Sequence, residues 1–275
     1  MNEPIITIRG LRKRYDEHEV LRGIDLSVDR GQILGYIGPN GAGKTTTVKI
    51  LIGMIPDFEG EVRVAGFDVA TDAMEVKKRI GYIPESAALY DMLTPMEYLR
   101  FIGRVHGMSD ELIGRRGRDM LDGFGIAEHA DNRMSTFSKG MRQKVLIVAG
   151  LIHNPEVIIL DEPLSGLDAN STVTFKEIMA RLAARGKTIF YCSHVMDVVE
   201  RVCDRIVILS KGGVVADGTF EQLQAMNKAA SLENIFTQLT SEGGHGEAAD
   251  RFIESLHATE AAPGSPGAQY PLAWC

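Results

Sequence analysis

A chain of 275 residues, 44% hydrophobic and 24% charged, can bury a core large enough for one α/β domain. Its net charge of −7 and pI near 5.6 argue against a broad nucleic-acid surface, so no nucleic-acid partner is expected. The three cysteines, Cys192, Cys203 and Cys275, lack metal-ligand spacing and are too few for a disulfide framework, which points to reduced thiols.

At the N-terminus, Met1-Asn2-Glu3-Pro4 has neither the basic nor the apolar region of a signal peptide, so a cytoplasmic location is expected. Ile5 to Ile8 and Ile24 to Val28 alternate as half-buried strands do. Gln32 to Ile37 runs apolar into the loop Gly38-Pro39-Asn40-Gly41-Ala42-Gly43-Lys44-Thr45, which fits G-x-x-x-x-G-K-[ST] between a strand and a helix. Glycines there let backbone N–H groups turn inward around α- and β-phosphates. Lys44 suits the β/γ oxygens, the Thr45 hydroxyl suits Mg²⁺, and Thr46 is counted among the nucleotide contacts. ATP with Mg²⁺ is the expected ligand.

A helix should follow from Thr45, burying Val48, Ile50, Leu51 and Ile52, then short strands at Glu61 to Val64 and Ile80 to Ile83. From Glu85 to about Gly150 the pattern is helical. Thr94-Pro95-Met96-Glu97 joins a threonine N-cap, a proline at the first helical position and a glutamate three residues after the cap. The greasiest stretch, Val145 to Leu160, is broken by His153, Asn154, Pro155 and Glu156 and falls short of a membrane span. Val157 to Leu160, Thr188 to Tyr191 and Ile206 to Leu209 are apolar runs of the kind found inside parallel sheets. The strand ending in Asp161-Glu162 offers one carboxylate for the Mg²⁺ hydration shell, Asp161, and one to polarise the attacking water, Glu162.

These elements predict an α/β fold: a P-loop ATPase core with a mostly parallel sheet, an N-terminal antiparallel β portion and an inserted helical subdomain over about 85–150. The ATP-binding domain should span 1–240. Beyond it, Gly, Ala, Pro and Ser dominate, and 241–275 is expected to be a flexible tail.

Phe137-Ser138-Lys139-Gly140-Met141-Arg142-Gln143 resembles the signature sequence of ABC-type ATPases, and the motif order matches that family from Met1 to about Gly218. A serine N-cap followed by free helical amides suits an anion, and Gly140 lets backbone approach closely. Phe137 replaces the usual leucine and Lys139 the usual first glycine; the lysine form is similar to bacterial exporter ATPases.

The resemblance implies further roles. Tyr15 matches the aromatic residue that stacks on adenine, and Ser165-Gly166-Leu167-Asp168 the loop that lines a dimer contact. His194 matches the switch histidine at the γ-phosphate, and Asp204 to Leu209 with Gly212-Gly213 the closing hairpin. Gln143 completes the signature. Glu85, in Gly81-Tyr82-Ile83-Pro84-Glu85, stands where the family carries a glutamine that links nucleotide to the transmembrane partner. A glutamate can approach Mg²⁺ or accept from water, but it cannot donate as an amide does.

The amphipathic Leu232 to Thr240 also resembles exporter-type ATPases. The implied assembly is a dimer, homomeric or heteromeric, with ATP held between one chain's phosphate loop and the other's Ser138. It would drive an integral membrane permease, for export, from the inner face of the cell membrane. The alternative is a soluble ATPase of the same fold doing mechanical work off the membrane, in cluster assembly or DNA repair.

Overall fold

The computed structural model describes residues 3–85, 89–240 and Ser255. The predicted tail, 241–275, lies outside the described residues apart from Ser255. Residues up to Thr240 form one compact unit.

The chain opens with an antiparallel hairpin, β1 (Ile6–Tyr15) and β2 (His18–Val28). Both strands outrun the alternating segments that predicted them, and a bulge explains why. Between Ile8 and Leu11 the β1 register shifts, Gly10 takes φ +56°, and its N–H donates to the Asp25 carboxylate at 2.8 Å. One extra residue resets the inward phase, so that Leu11 and Lys13 follow Ile6 and Ile8 into the interior. After β3 (Ile33–Ile37) and α1 (Lys44–Leu51), β4 (Glu59–Val64) and β5 (Phe67–Asp68) complete a four-stranded sheet of order β2-β1-β4-β5.

The second sheet continues through α2 (Ala73–Arg79) and β6 (Ile80–Ile83). It then passes α3 (Pro95–Val105), α4 (Asp110–Gly123) and α5 (Lys139–Leu151) to reach β7 (Val157–Asp161). Beyond α6 (Ala169–Ala184) come β8 (Thr188–Cys192), α7 (Met196–Val202), β9 (Arg205–Ser210), β10 (Gly213–Gly218), α8 (Phe220–Asn227) and α9 (Leu232–Thr240). Its order is β10-β9-β3-β8-β7-β6, parallel except for the β9–β10 hairpin.

Both faces of this sheet are covered, which is why its strands read as unbroken apolar runs. Ile33, Ile158, Leu160, Ile189 and Ile206 face the helical side. Their neighbours Leu34, Val157, Ile159, Phe190 and Val207 face α1 and the antiparallel sheet.

Helices α3, α4 and α5 form the helical insertion between β6 and β7. Thr94 accepts from the Glu97 N–H at 3.2 Å while the Thr94 N–H donates to the Glu97 carboxylate at 2.9 Å, closing the capping box. The insertion has no core of its own: Met96, Leu99, Ile113 and Leu121 pack in the same cluster as Ile83 and Leu160 of the sheet. No helix among the described residues is long and apolar enough to cross a membrane.

The last helix belongs to that cluster too, with Leu232 and Ile235 fully buried. Ending the chain at Lys228 should therefore cost roughly 3–6 kcal/mol, the burial of two aliphatic side chains. Thermal melts should show a Tm drop of about 10 °C for that truncation. A chain ending at Thr240 is the reference for that comparison.

Candidate active site

Strands β3, β8, β7 and β6 lie side by side and parallel, so their C-terminal ends form one row at a spacing of about 4.8 Å. From that row emerge, in order, the glycine-rich loop, Ser193-His194, Asp161-Glu162 and Pro84-Glu85. Gly38, Pro39, Asn40, Lys44, Thr45, Glu85, Asp161, Glu162 and His194 thus line a single cleft of about 710 Å³. Ligands of open parallel sheets bind at this edge.

The loop is held from beneath. Gly43 is the N-cap of α1 at φ +103°, and a Cβ there would come within 2.5 Å of Leu21 on β2. Only glycine meets both demands. No side chain caps α1, so its first N–H groups face the cleft mouth as an anion site. The Thr47 hydroxyl donates to the Gly43 carbonyl at 3.1 Å and pairs with the Tyr36 hydroxyl at 3.1 Å, anchoring the first turn. Lys44 folds over its own loop, its ammonium donating to the carbonyls of Gly38 and Pro39 at 2.5 and 3.1 Å.

Glu162 leaves β7 at φ +49°, a strained value for a residue with a Cβ, and its N–H donates to the Cys192 carbonyl at 3.0 Å. Two side chains hold its carboxylate: His194 Nδ1 at 2.7 Å and the Ser193 hydroxyl, donating at 3.0 Å. Each carboxylate oxygen keeps a lone pair beyond these contacts. Ser193 also accepts from the Val195 N–H at 3.1 Å, which fixes the turn that carries His194. Ser193 has no motif of its own, and only the β7–β8 pairing brings it to Glu162.

Burial raises the Asp161 pKa, and the negative charges of Glu162 and Glu85 raise it further, against the opposing pull of Lys44 and Lys49. Crowded oxygen donors beside the Thr45 hydroxyl are chemically suited to Mg²⁺. Among the described residues no three His, Cys, Asp or Glu side chains could hold a metal by themselves. Mg²⁺ is commonly held by one or two protein carboxylates together with substrate phosphates and water, so the donor set fits.

Other predicted site residues lie outside the cleft lining. Tyr15 ends β1, 45% exposed. Ser138 caps α5 by accepting from the Met141 N–H at 3.2 Å. Gly140 lies against the Ser165–Asp168 loop, where a Cβ would approach the Gly166 carbonyl to 2.6 Å, and Lys139 donates to the Ser165 hydroxyl at 2.8 Å. Asp168 is the N-cap of α6, held well below the usual carboxylate range by Ser171 and then Lys144.

Gln143, expected as part of the signature, also has a role within its own chain. It is buried, and its amide donates to the carbonyls of Pro163 and Pro84 at 3.1 and 3.4 Å. Within its own chain it ties α5 to the segments bearing Glu162 and Glu85. Met196 of α7 and Glu233, Phe236 and Thr237 of α9 complete the cleft wall. The sequence marked the α9 segment only as an amphipathic ending.

A family model described as ABC transporter matches residues 21–165, from β2 through the glycine-rich loop, the signature and the carboxylates. This chain belongs to the ABC transporter family. It is 35% identical over 237 residues to the ABC transporter ATP-binding protein NatA of Bacillus subtilis, covering 84% of this chain and 96% of that one. The Nod factor export ATP-binding protein I of Ralstonia nicotianae is 36% identical over 220 residues, 80% of this chain and 68% of that one. A solved structure described as the ATP binding subunit of an ABC transporter superposes with a TM-score of 0.81 at 34% identity, covering 86% of this chain and 100% of that one. The chain is accordingly an ATP-binding ATPase of this family.

Replacing Glu162 with glutamine keeps the side chain's shape but removes its basicity. ATP binding should persist while turnover falls about a hundredfold or more, the usual scale of general-base catalysis. Steady-state ATPase rate beside equilibrium ATP binding checks this; near-normal turnover would remove Glu162 as the base.

Proposed function

We propose that this chain hydrolyses Mg-ATP as one half of a dimer and so drives a separate membrane permease in export. One observation carries the reading: phosphate loop, Asp161, Glu162 and His194 converge on one cleft. In this scheme the loop amides and Lys44 bind the phosphates, and Tyr15 carries the adenine. Thr45 and Asp161, with Glu85 nearby, would hold Mg²⁺, which would neutralise phosphate charge. Glu162 takes the proton of the attacking water, oriented by Ser193 and His194.

The dimer is supported by what lies outside the cleft. Ser138 and Gly140 head a capped helix with an anion-suited N-terminus, yet neither lines their own chain's phosphate site. Serving a partner's nucleotide gives them a use. Their contact with the Ser165–Asp168 loop makes the two segments one candidate surface for a second ATPase subunit, identical or related.

The permease reading is supported by an apolar groove of about 430 Å³ between β6, α3 and α5. Met54, Tyr82, Tyr98, Ile102 and Leu146 line it. His106 and His153 stack at its edge with ring centroids 3.7 Å apart. Burial, then the neighbouring His106, push the His153 pKa down to about 4, so this ring is uncharged near neutrality. An apolar segment of a membrane protein fits such a surface. Export follows the name of the Ralstonia relative and the exporter-like Lys139 and Leu232–Thr240 segment. We place the chain at the inner membrane face, with 1–240 as the ATP-binding domain. The reported relatives favour transport over soluble mechanical work.

Two experiments test this reading. Mixing a Lys44→Ala chain with a Ser138→Arg chain, each inactive alone, leaves one intact composite site per mixed dimer. Part of the ATPase activity should return. No return, with subunit exchange verified and one-site turnover established, would overturn the cross-subunit assignment. In the second, Ile102→Glu should abolish co-purification with the membrane fraction while ATP binding stays within about twofold, as expected for a surface change far from the ligand.

A further inference from the structure

Lys13 is a cation with almost no exposure: its side chain is only 6% accessible. A buried ammonium is costly unless paired. Its partner is Asp57, in the loop between α1 and β4, with Nζ donating to Oδ2 at 2.9 Å. The carboxylate itself is 94% exposed. The same ammonium stands over the ring of Tyr15, 4.8 Å from its centroid. Lys13 and Tyr15 lie two residues apart on β1, across a register shift between Lys13 and Arg14, and the ammonium reaches the ring there. The bulge at Gly10 is what turns Lys13 inward.

One face of the Tyr15 ring is therefore covered by a cation, and the residue remains 45% exposed. Its place relative to the phosphate loop follows from the β1–β2 register. Lys13 pairs with Leu21, the residue whose side chain packs beneath Gly43, and Tyr15 pairs with His18 at the hairpin tip. Tyr15 thus stands two residues, roughly 7 Å, along the strand from the point where β2 supports the loop. An aromatic ring so placed stacks a base on its open face without being ordered anew, because the opposite face is already pinned.

We infer that Lys13 is a positioning residue for the base of the nucleotide. Bridged to Asp57, it holds the Tyr15 ring so that its free face receives adenine. This rests on the reading of Tyr15 as the base-stacking residue. Lys13 touches no part of the nucleotide itself.

The test compares two probes in a Glu162→Gln background, which prevents turnover: Mg-ATP, and Mg-tripolyphosphate, which carries phosphates and no base. Calorimetric titration gives both affinities. Lys13→Met, which keeps length and removes charge, should weaken ATP about three- to tenfold, the scale of a part-buried cation–π contact, and leave tripolyphosphate unchanged. Lys13→Arg should restore most of the loss. Asp57→Asn, at an exposed position, should give a smaller ATP-selective loss and guards against misfolding of the lysine variant.

Tyr15→Ala separates the two levels of the argument. It should weaken ATP selectively, and Lys13→Met added to it should have no further effect. If Tyr15→Ala leaves ATP affinity unchanged, the base-stacking reading fails and this inference with it. If Tyr15→Ala acts as expected, three results would each overturn the role of Lys13 alone. These are a Lys13→Met chain with wild-type ATP affinity, equal weakening of both probes, and a further loss of ATP in the Tyr15→Ala background.

Discussion

Parallel pairing of four strands is the constraint on which the cleft depends. β3, β8, β7 and β6 come from widely separated parts of the chain, and their ladder bonds align their C-terminal ends in one row. Asp161 pairs with Cys192 across that ladder, and the Glu162 N–H adds one more bond to the Cys192 carbonyl. The loop carrying Ser193 and His194 then has nowhere to go but alongside Glu162. Parallel strands need long crossovers, and the crossovers supply helices that bury both faces of the sheet. The rigid middle holds loops of special geometry at its rim.

Strain sits at that rim. Glu162 keeps a left-handed backbone, a cost on the order of 1–3 kcal/mol, because the ladder bond and the Ser193 and His194 contacts over-determine it. The same economy appears on β1, where one bulge at Gly10 carries Lys13 into the interior beneath Tyr15. In both places a local backbone irregularity, stabilised elsewhere, aims one side chain. The buried Gln143 joins these regions: a single amide on α5 binds carbonyls beside both Glu85 and Glu162. The amide thus tethers the helical insertion to both carboxylate-bearing segments.

The sequence by itself determined the elements whose physics is local. The glycine-rich loop needs backbone freedom within eight residues, and the capping box at Thr94 needs only residues three apart. The apolar runs of β7 and β8 declare two covered faces wherever they sit in the sheet. Expected strand ends failed where local pattern was broken, as at the Gly10 bulge, which hid the second half of β1. Helices α2, α6, α7 and α8 were not spelled out, because their burial is partial and their apolar spacing weak.

Only the tertiary structure decided the rest. Strand order placed β8 between β3 and β7, so Ser193 became a partner of Glu162, which no spacing along the chain announces. Gln143 read as the end of the signature, and only the fold shows its amide tying two segments together, because both its acceptors are carbonyls distant in sequence. Helix α9 read as amphipathic, but which surface its apolar face covers depends on where β9 and α7 leave room. That room lies beside the phosphate loop, and so Phe236 and Glu233 reach the cleft. Side-chain chemistry within a few residues can be read directly; contacts made across hundreds of residues exist only once the chain has closed on itself.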